Sequence, residues 1–159
     1  MSKRAFPWDE DAKRQPSSSV RILIVDDSEP WRRWLCAELG KHKGLRIVGE
    51  ASDGLEAVKK AHELKPNLVL LDIGLPNLNG FEVANRLAQS TSESRVVFLT
   101  MHTDKEIVKR ALSNGAGGFV LKKDALTDLL PAIAAVLEGR RFVSRSIGNK
   151  VSKSIGNKV

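Results

Sequence analysis

The stretch Leu68-Val69-Leu70-Leu71-Asp72-Ile73-Gly74-Leu75-Pro76 decides the fold. Four consecutive apolar residues, entered through Pro66-Asn67 and left through Gly74 and Pro76, read as a short strand buried on both faces. Strands of that kind belong to parallel sheets covered by helices. Such sheets bind ligands at the carboxyl ends of their strands, which is where Asp72 stands. Alone, an aspartate there is as readily a solvated end residue as a working group, and the neighbouring elements have to decide between the two.

Working outward, residues 20–25 form an apolar strand ending at Asp26-Asp27, and Ser28 is placed to cap the helix that follows. Pro30 falls in the first turn of that helix, where its missing donor does no harm. Trp31, Leu35 and Leu39 recur at steps of four with Trp34 beside them, and read as packing groups. Gly44 is expected to end the helix. Residues 45–50 make a second strand, and Asp53 caps a helix with Ala57, Val58, Ala61 and Leu64 inward. Beyond Pro76 and Gly80 a further helix sets Phe81, Ala84, Leu87 and Ala88 inward. Residues 95–100 are a fourth strand. Thr103-Asp104-Lys105-Glu106 has the pattern of a capping box opening a helix that stops at Asn114-Gly115. Phe119-Val120-Leu121 is a short fifth strand, and Leu129, Ile133 and Val136 mark a last helix ending at Gly139, whose start Pro131 leaves open. Five strands alternating with five helices predict an α/β fold of the flavodoxin-like, doubly wound (βα)5 kind, with a five-stranded parallel sheet.

The chain of 159 residues is read as one domain, 20–139, with extensions. Residues 1–19 mix charges with Pro7, Pro16 and three serines, and are expected to be a mobile arm, the alternative being that Phe6 and Trp8 dock on the domain. Residues 140–159 contain Ser144-Arg-Ser-Ile-Gly-Asn-Lys-Val151 repeated as Ser152-Lys-Ser-Ile-Gly-Asn-Lys-Val159, read as a flexible tail. The net charge of +7 belongs almost wholly to that tail, which holds six Lys or Arg and no acid, whereas residues 1–19 carry four basic and three acidic residues and residues 20–139 carry sixteen of each sign. Weak, salt-sensitive, non-specific contact with nucleic acid is the most such a tail predicts. The single cysteine, Cys36, permits no internal disulfide and reads as a helix residue at the core margin. No apolar run approaches a membrane span or a secretory leader, so a cytoplasmic location is expected.

Acid, acid, hydroxyl and amine now fall at the ends of strands one, three, four and five: Asp26 and Asp27, Asp72, Thr100, and Lys122-Lys123. Three carboxylates at one sheet edge repel unless a cation compensates them, and an all-oxygen donor set suits Mg²⁺. In that setting Asp72 is a candidate nucleophile toward a phosphoryl group, with a lysine and the Thr100 hydroxyl to compensate its oxygens. A flavin-binding redox protein would want amides and hydroxyls at this edge rather than carboxylates, and a small-molecule phosphohydrolase would want longer loops around a substrate pocket.

The motifs Ile-Val-Asp26-Asp27-Ser, Val-Leu-Leu-Asp72-Ile-Gly-Leu-Pro76-Asn-Leu-Asn-Gly80, Phe-Leu-Thr100-Met-His and Gly-Gly-Phe119-Val-Leu-Lys122 resemble the receiver domain of bacterial two-component response regulators. That resemblance implies that Asp72 accepts phosphate from a sensor histidine kinase or phosphotransfer protein. It implies that Asp26, Asp27, Asp72 and the Gly74 carbonyl hold Mg²⁺, that Thr100 and Lys122 contact the phosphoryl group, and that Phe119 is the aromatic member of the switch, where the family usually has Tyr. Lys123 has no implied role. A receiver of this kind is a phosphoacceptor rather than an enzyme, and signals through partner binding or a homodimer. The ending Gly-Arg-Arg-Phe-Val-Ser is similar to LuxR-type (NarL-like) regulators, which continue into a DNA-binding helix-turn-helix domain. Residues 144–159 contain no such domain, so the alternative expectation is a truncated transcriptional regulator of that type.

Overall fold

The apolar runs become strands because alternate residues on each find a helix layer on opposite sides. In the computed structural model, which describes residues 6–9, 19–90, 93–114 and 116–147, the strands are β1 (Val20–Val25), β2 (Leu45–Ala51), β3 (Leu68–Leu71), β4 (Arg95–Thr100), β5 (Gly118–Leu121) and β6 (Phe142–Val143). They form one parallel sheet in the order β2-β1-β3-β4-β5-β6. The helices are α1 (Glu29–Leu39), α2 (Gly54–Leu64), α3 (Gly80–Gln89), α4 (Lys105–Ser113) and α5 (Ala125–Leu137). On one face Val69, Leu71, Phe98 and Phe119 share a buried cluster with Ala57, Phe81 and Val108 of α2, α3 and α4. On the other, Leu68, Leu70, Val97 and Val120 share one with Leu35, Leu39 and Ile133 of α1 and α5. All four residues of β3 are buried, as a strand with helices on both faces requires.

The helix starts follow from local chemistry. Ser28, Asp53 and Asn79 each accept a hydrogen bond from the backbone N–H three residues on, at 3.4, 2.8 and 3.0 Å. α4 departs from its expected capping box: Asp104 is the N-cap and its side chain makes no cap hydrogen bond. α1 stops at Leu39 with Gly40 as its cap, ahead of Gly44. Pro131 lies well inside α5. The carbonyl it leaves without a helical donor belongs to Thr127, an exposed residue, so water can serve it while Leu129, Ala132, Ile133 and Val136 seal the buried side.

Three further expectations need correction. The sheet has six strands rather than five, because Phe142–Val143 pairs in parallel with Gly118 and Phe119 of β5. The segment after 139 is therefore not tail from its first residue: Ser144 and Ile147 are buried, Arg140 pairs with Glu138 at 2.6 Å, and Arg141 donates to the Leu112 carbonyl at 3.0 Å. Lys150, Lys153 and Lys158 lie outside the described residues. In the N-terminal arm, Trp8 is 3% exposed and stacks on Phe6 at 4.7 Å. Gly44 permits this docking, since a Cβ there would strike the backbone of Trp8. Cys36 is half-buried, as expected, and burial pushes its thiol up from the usual value.

Gly80 ties the fold to the site. Its N–H donates to the Ile73 carbonyl at 2.9 Å, and an added Cβ would collide with the Asp72 carbonyl and come within 2.8 Å of Ile73 Cα. Both obstacles are backbone, so Gly80→Ala must displace the loop that follows β3. The expected cost is about 1–3 kcal/mol, read as a lower urea midpoint; an unchanged midpoint would show that the loop yields freely.

Candidate functional site

Strand register brings the acids together before any side chain is considered. Val25 pairs with Leu71, and the next residue on each strand is still held in the ladder: Asp72 N–H donates to the Val25 carbonyl and Asp26 N–H to the Ala51 carbonyl, both at 3.0 Å. The strand order reverses between β1 and β3, so this is the place where an open α/β sheet forms a crevice. Carboxylate oxygens of Asp26, Asp27 and Asp72 lie within 4.8 Å of one another. Asp26 and Asp72 are buried and Asp27 is exposed.

Lys122 answers part of that charge. It leaves the end of β5 as the first residue of a 3-10 turn, Lys122–Asp124, and its Nζ lies 2.7 Å from Asp26 Oδ2 and 3.6 Å from Asp72 Oδ2. The remaining oxygens are also engaged. Asp26 Oδ1 accepts the Ser28 N–H, and Asp72 Oδ1 accepts the Ile73 N–H, both at 2.8 Å. Burial pushes the Asp26 carboxyl up; the Lys122 and Ser28 hydrogen bonds pull it down, and the charge of Asp72 raises it again. The net direction is upward, so the folded protein holds this proton more tightly than the unfolded chain does. Asp26 therefore favours folding most at pH below the ordinary carboxylate value, and that contribution is lost as pH rises through the raised value. A further cation beside these oxygens would act in the lowering direction, as Lys122 does, and a donor set made of oxygen alone fits a hard divalent ion.

Thr100 ends β4 on the same edge, wholly buried, with its Oγ1 accepting the His102 N–H at 3.2 Å. Gly74 is exposed in the loop two residues beyond Asp72. Phe119 is 1% exposed, its ring 6.4 Å from that of Phe98 and turned into the core. Lys123, next to Lys122 in sequence, is exposed.

Two neighbours of the site were not singled out from sequence. Trp31, read as a packing group, is only part-buried; it stacks on Trp34 at 5.0 Å and carries the Lys122 ammonium 5.3 Å from its ring centre. Its Nε1 is buried without a hydrogen-bond partner among the described residues. Arg32 Nη1 donates to the Asp26 carbonyl at 2.6 Å and its Nε to Glu50 at 3.1 Å, bracing the chain where β1 becomes α1. Helical periodicity marks Trp31 and Arg32 as neighbours of the strand end, but carries nothing about a lysine from the far side of the sheet.

A buried acid pair, an exposed third acid, a buried hydroxyl and a lysine near both buried acids thus share one edge of a doubly wound sheet. Residues 22–134 match the response regulator receiver domain family, and the chain belongs to it. It is similar to the response regulator GacA of Pseudomonas viridiflava, with 35% identity covering 84% of this chain and 62% of that protein. The response regulator UvrY of Escherichia coli is 32% identical over 85% of this chain and 62% of its own length. The chain thus spans about 62% of the length of these curated relatives. Among solved structures, a two-component response regulator of the LuxR family from Aurantimonas sp. SI85-9A1 superposes with a TM-score of 0.81 at 31% identity, covering 86% of this chain and 98% of that one. Receiver domains bind Mg²⁺ at an acidic pocket and interact with histidine kinases or phosphotransfer proteins.

Proposed function

We propose that Asp72 takes a phosphoryl group from the phosphohistidine of a sensor kinase or phosphotransfer protein. The carrying observation is the shared lysine: one ammonium lies between Asp26 and Asp72, close enough to either to follow charge that appears on Asp72. An Asp72 carboxylate oxygen attacks phosphorus, the P–N bond to imidazole breaks, and the imidazole leaves with the bonding pair. Lys122 then compensates the new phosphoryl oxygens. Thr100 Oγ1 already accepts a hydrogen bond from the His102 N–H, which leaves its own O–H free to donate one to a phosphoryl oxygen. Asp26, Asp27, Asp72 and the Gly74 carbonyl are the groups that would hold Mg²⁺, which when bound neutralises charge on the transferring group.

The output is a change of surface. Thr100 pairs with Leu121 of β5, two residues beyond Phe119, and Phe119 and Leu121 share a buried cluster with Val108 of α4, so drawing Thr100 toward the phosphoryl group would be passed to the α4–β5 face through β5. Such a change alters binding to a partner or to a second copy of this chain, with no external substrate turned over. Among the described residues no helix is long and apolar enough to cross a membrane, in keeping with action in the cytoplasm. Similarity to LuxR-family receivers favours a second reading for the whole protein, transcriptional control through a DNA-binding domain outside these 159 residues. The basic residues after 147 add at most salt-sensitive, sequence-independent contact with nucleic acid.

Incubation with a small acyl phosphate and Mg²⁺ should add one phosphoryl mass to the peptide containing Asp72, and a chelator should prevent it. A protein that stays unlabelled, or labels equally with the chelator present, contradicts the reading.

A further inference from the structure

We propose that Ser144 and Ser146, beyond the fifth helix, are positioning residues for Lys122, and that the octapeptide repeat carries a second set of the same anchors. The role of Lys122 rests on the phosphoryl-transfer reading above.

Lys122 stands on a three-residue turn, and both ends of that turn are tied to the segment 143–147. β6 ends at Val143, one residue short of pairing with the last N–H of β5. The hydroxyl of Ser144 takes the place of the missing strand, accepting the Leu121 N–H at 3.0 Å, while the Ser144 N–H donates to the Phe119 carbonyl at 2.9 Å. Ser144 is wholly buried, so its hydroxyl has no water to exchange this bond for. At the other end of the turn, Ser146 Oγ donates to Asp124 Oδ2 at 2.7 Å. Ile147, 1% exposed, lies in one buried cluster with Phe119, Leu121 and Val143. The lysine that bridges Asp26 and Asp72 is thus flanked by two fixed points, both supplied by residues that follow the domain's last helix. Without them the backbone beneath Lys122 is free to drift, and the ammonium spends less time where Asp72 needs it.

The repeat supplies its own control. Val143-Ser144-Arg145-Ser146-Ile147 returns as Val151-Ser152-Lys153-Ser154-Ile155, and the one substituted position corresponds to Arg145, which is exposed. Deleting residues 144–151 therefore places Ser152, Ser154 and Ile155 directly behind Val143 with every anchoring group restored. Deleting 144–159 removes both sets.

The test uses the full chain, these two deletions and Ser144→Ala, each with and without Lys122→Ala. Two quantities are read: amide exchange at Leu121, and affinity for beryllium fluoride with Mg²⁺, which stands in for the phosphoryl group on Asp72. Loss of the clamp should speed Leu121 exchange and weaken beryllium fluoride binding, each by roughly threefold to tenfold, in Ser144→Ala and in the longer deletion. The shorter deletion should match the full chain in both. With Lys122 already replaced, Ser144→Ala should cost no further affinity, because the group it positions is gone. A loss of affinity that persists unchanged in the Lys122→Ala background would show that Ser144 acts on general packing, and would overturn the proposal. So would faster Leu121 exchange with affinity intact. Failure of the full chain itself to bind beryllium fluoride would instead sink the phosphoacceptor reading, and the positioning role with it, leaving Leu121 exchange to report only whether the clamp is there.

Discussion

In Asp72→Asn, labelling by a small phosphodonor is expected to fall to background while the unfolding midpoint holds or rises. The amide keeps an oxygen that can accept the Ile73 N–H now bound by Asp72 at 2.8 Å, so the loop after β3 has no reason to move. What disappears is the carboxylate that attacks phosphorus, for which an amide is no substitute. Charge is lost too, from a site where three acids lie within 4.8 Å and where Asp72 helps to raise the Asp26 carboxyl. Removing one of the three relieves repulsion that folding otherwise has to overcome, so function and stability should move in opposite directions. Intact-mass measurement and a urea titration on one preparation would check both halves. Asp72→Ala should also fail to label, and should be less stable than Asp72→Asn, since it drops the Ile73 hydrogen bond as well. Wild-type labelling of either variant would mean that the acceptor is elsewhere.

The second large effect separates two adjacent lysines. Lys122→Ala removes a charge-assisted contact to the phosphoryl group worth about 1.5–3 kcal/mol, which converts to a loss of beryllium fluoride affinity of roughly ten- to a hundredfold. Lys123→Ala should leave that affinity unchanged, because the neighbouring side chain is exposed and, of the two, it is Lys122 that reaches Asp26 and Asp72. Lys122→Ala also orphans a buried carboxylate, yet the fold has a way out. The Asp26 carboxyl is already raised, and a proton can take over part of what the ammonium did. Equal losses from the two variants would displace the site from where the geometry puts it.

The sheet and its reactive edge were legible for a simple reason: in a parallel sheet buried on both faces, strands are short, wholly apolar and sharply ended. Val69 and Leu70 go to opposite clusters, and four such residues in a row announce it. Acids, hydroxyl and lysine became a site only through register, but right-handed crossovers leave few ways to arrange five such strands. What stayed hidden is non-local. Phe142–Val143 is two residues long, preceded by two arginines, and is a strand only because the edge of β5 lies beside it. Trp8 sits among charges and prolines that predict a loose arm, and it docks because a glycine far along the chain leaves room for its backbone. Trp31 obeys the helical stripe and nevertheless faces Lys122, since a stripe describes one helix and not what arrives from another strand. The capping box at Thr103–Glu106 failed for a related reason: the pattern allows the reciprocal bonds without compelling them, and Asp104 took the cap position instead.

The sixth strand also limits how this molecule can join others. Without it, β5 would present a row of unpaired backbone groups along the flank that lies next to α4 and α5, open to any extended segment that happened to pass. Phe142 and Ser144 close that row through their N–H groups, and the strand that now forms the boundary is too short to serve as a template in its turn. Association on this flank must therefore be made by side chains meeting side chains. Contacts of that kind loosen and tighten with small shifts of a helix or a ring, whereas an added strand would be held by backbone bonds indifferent to whether Asp72 carries a phosphate.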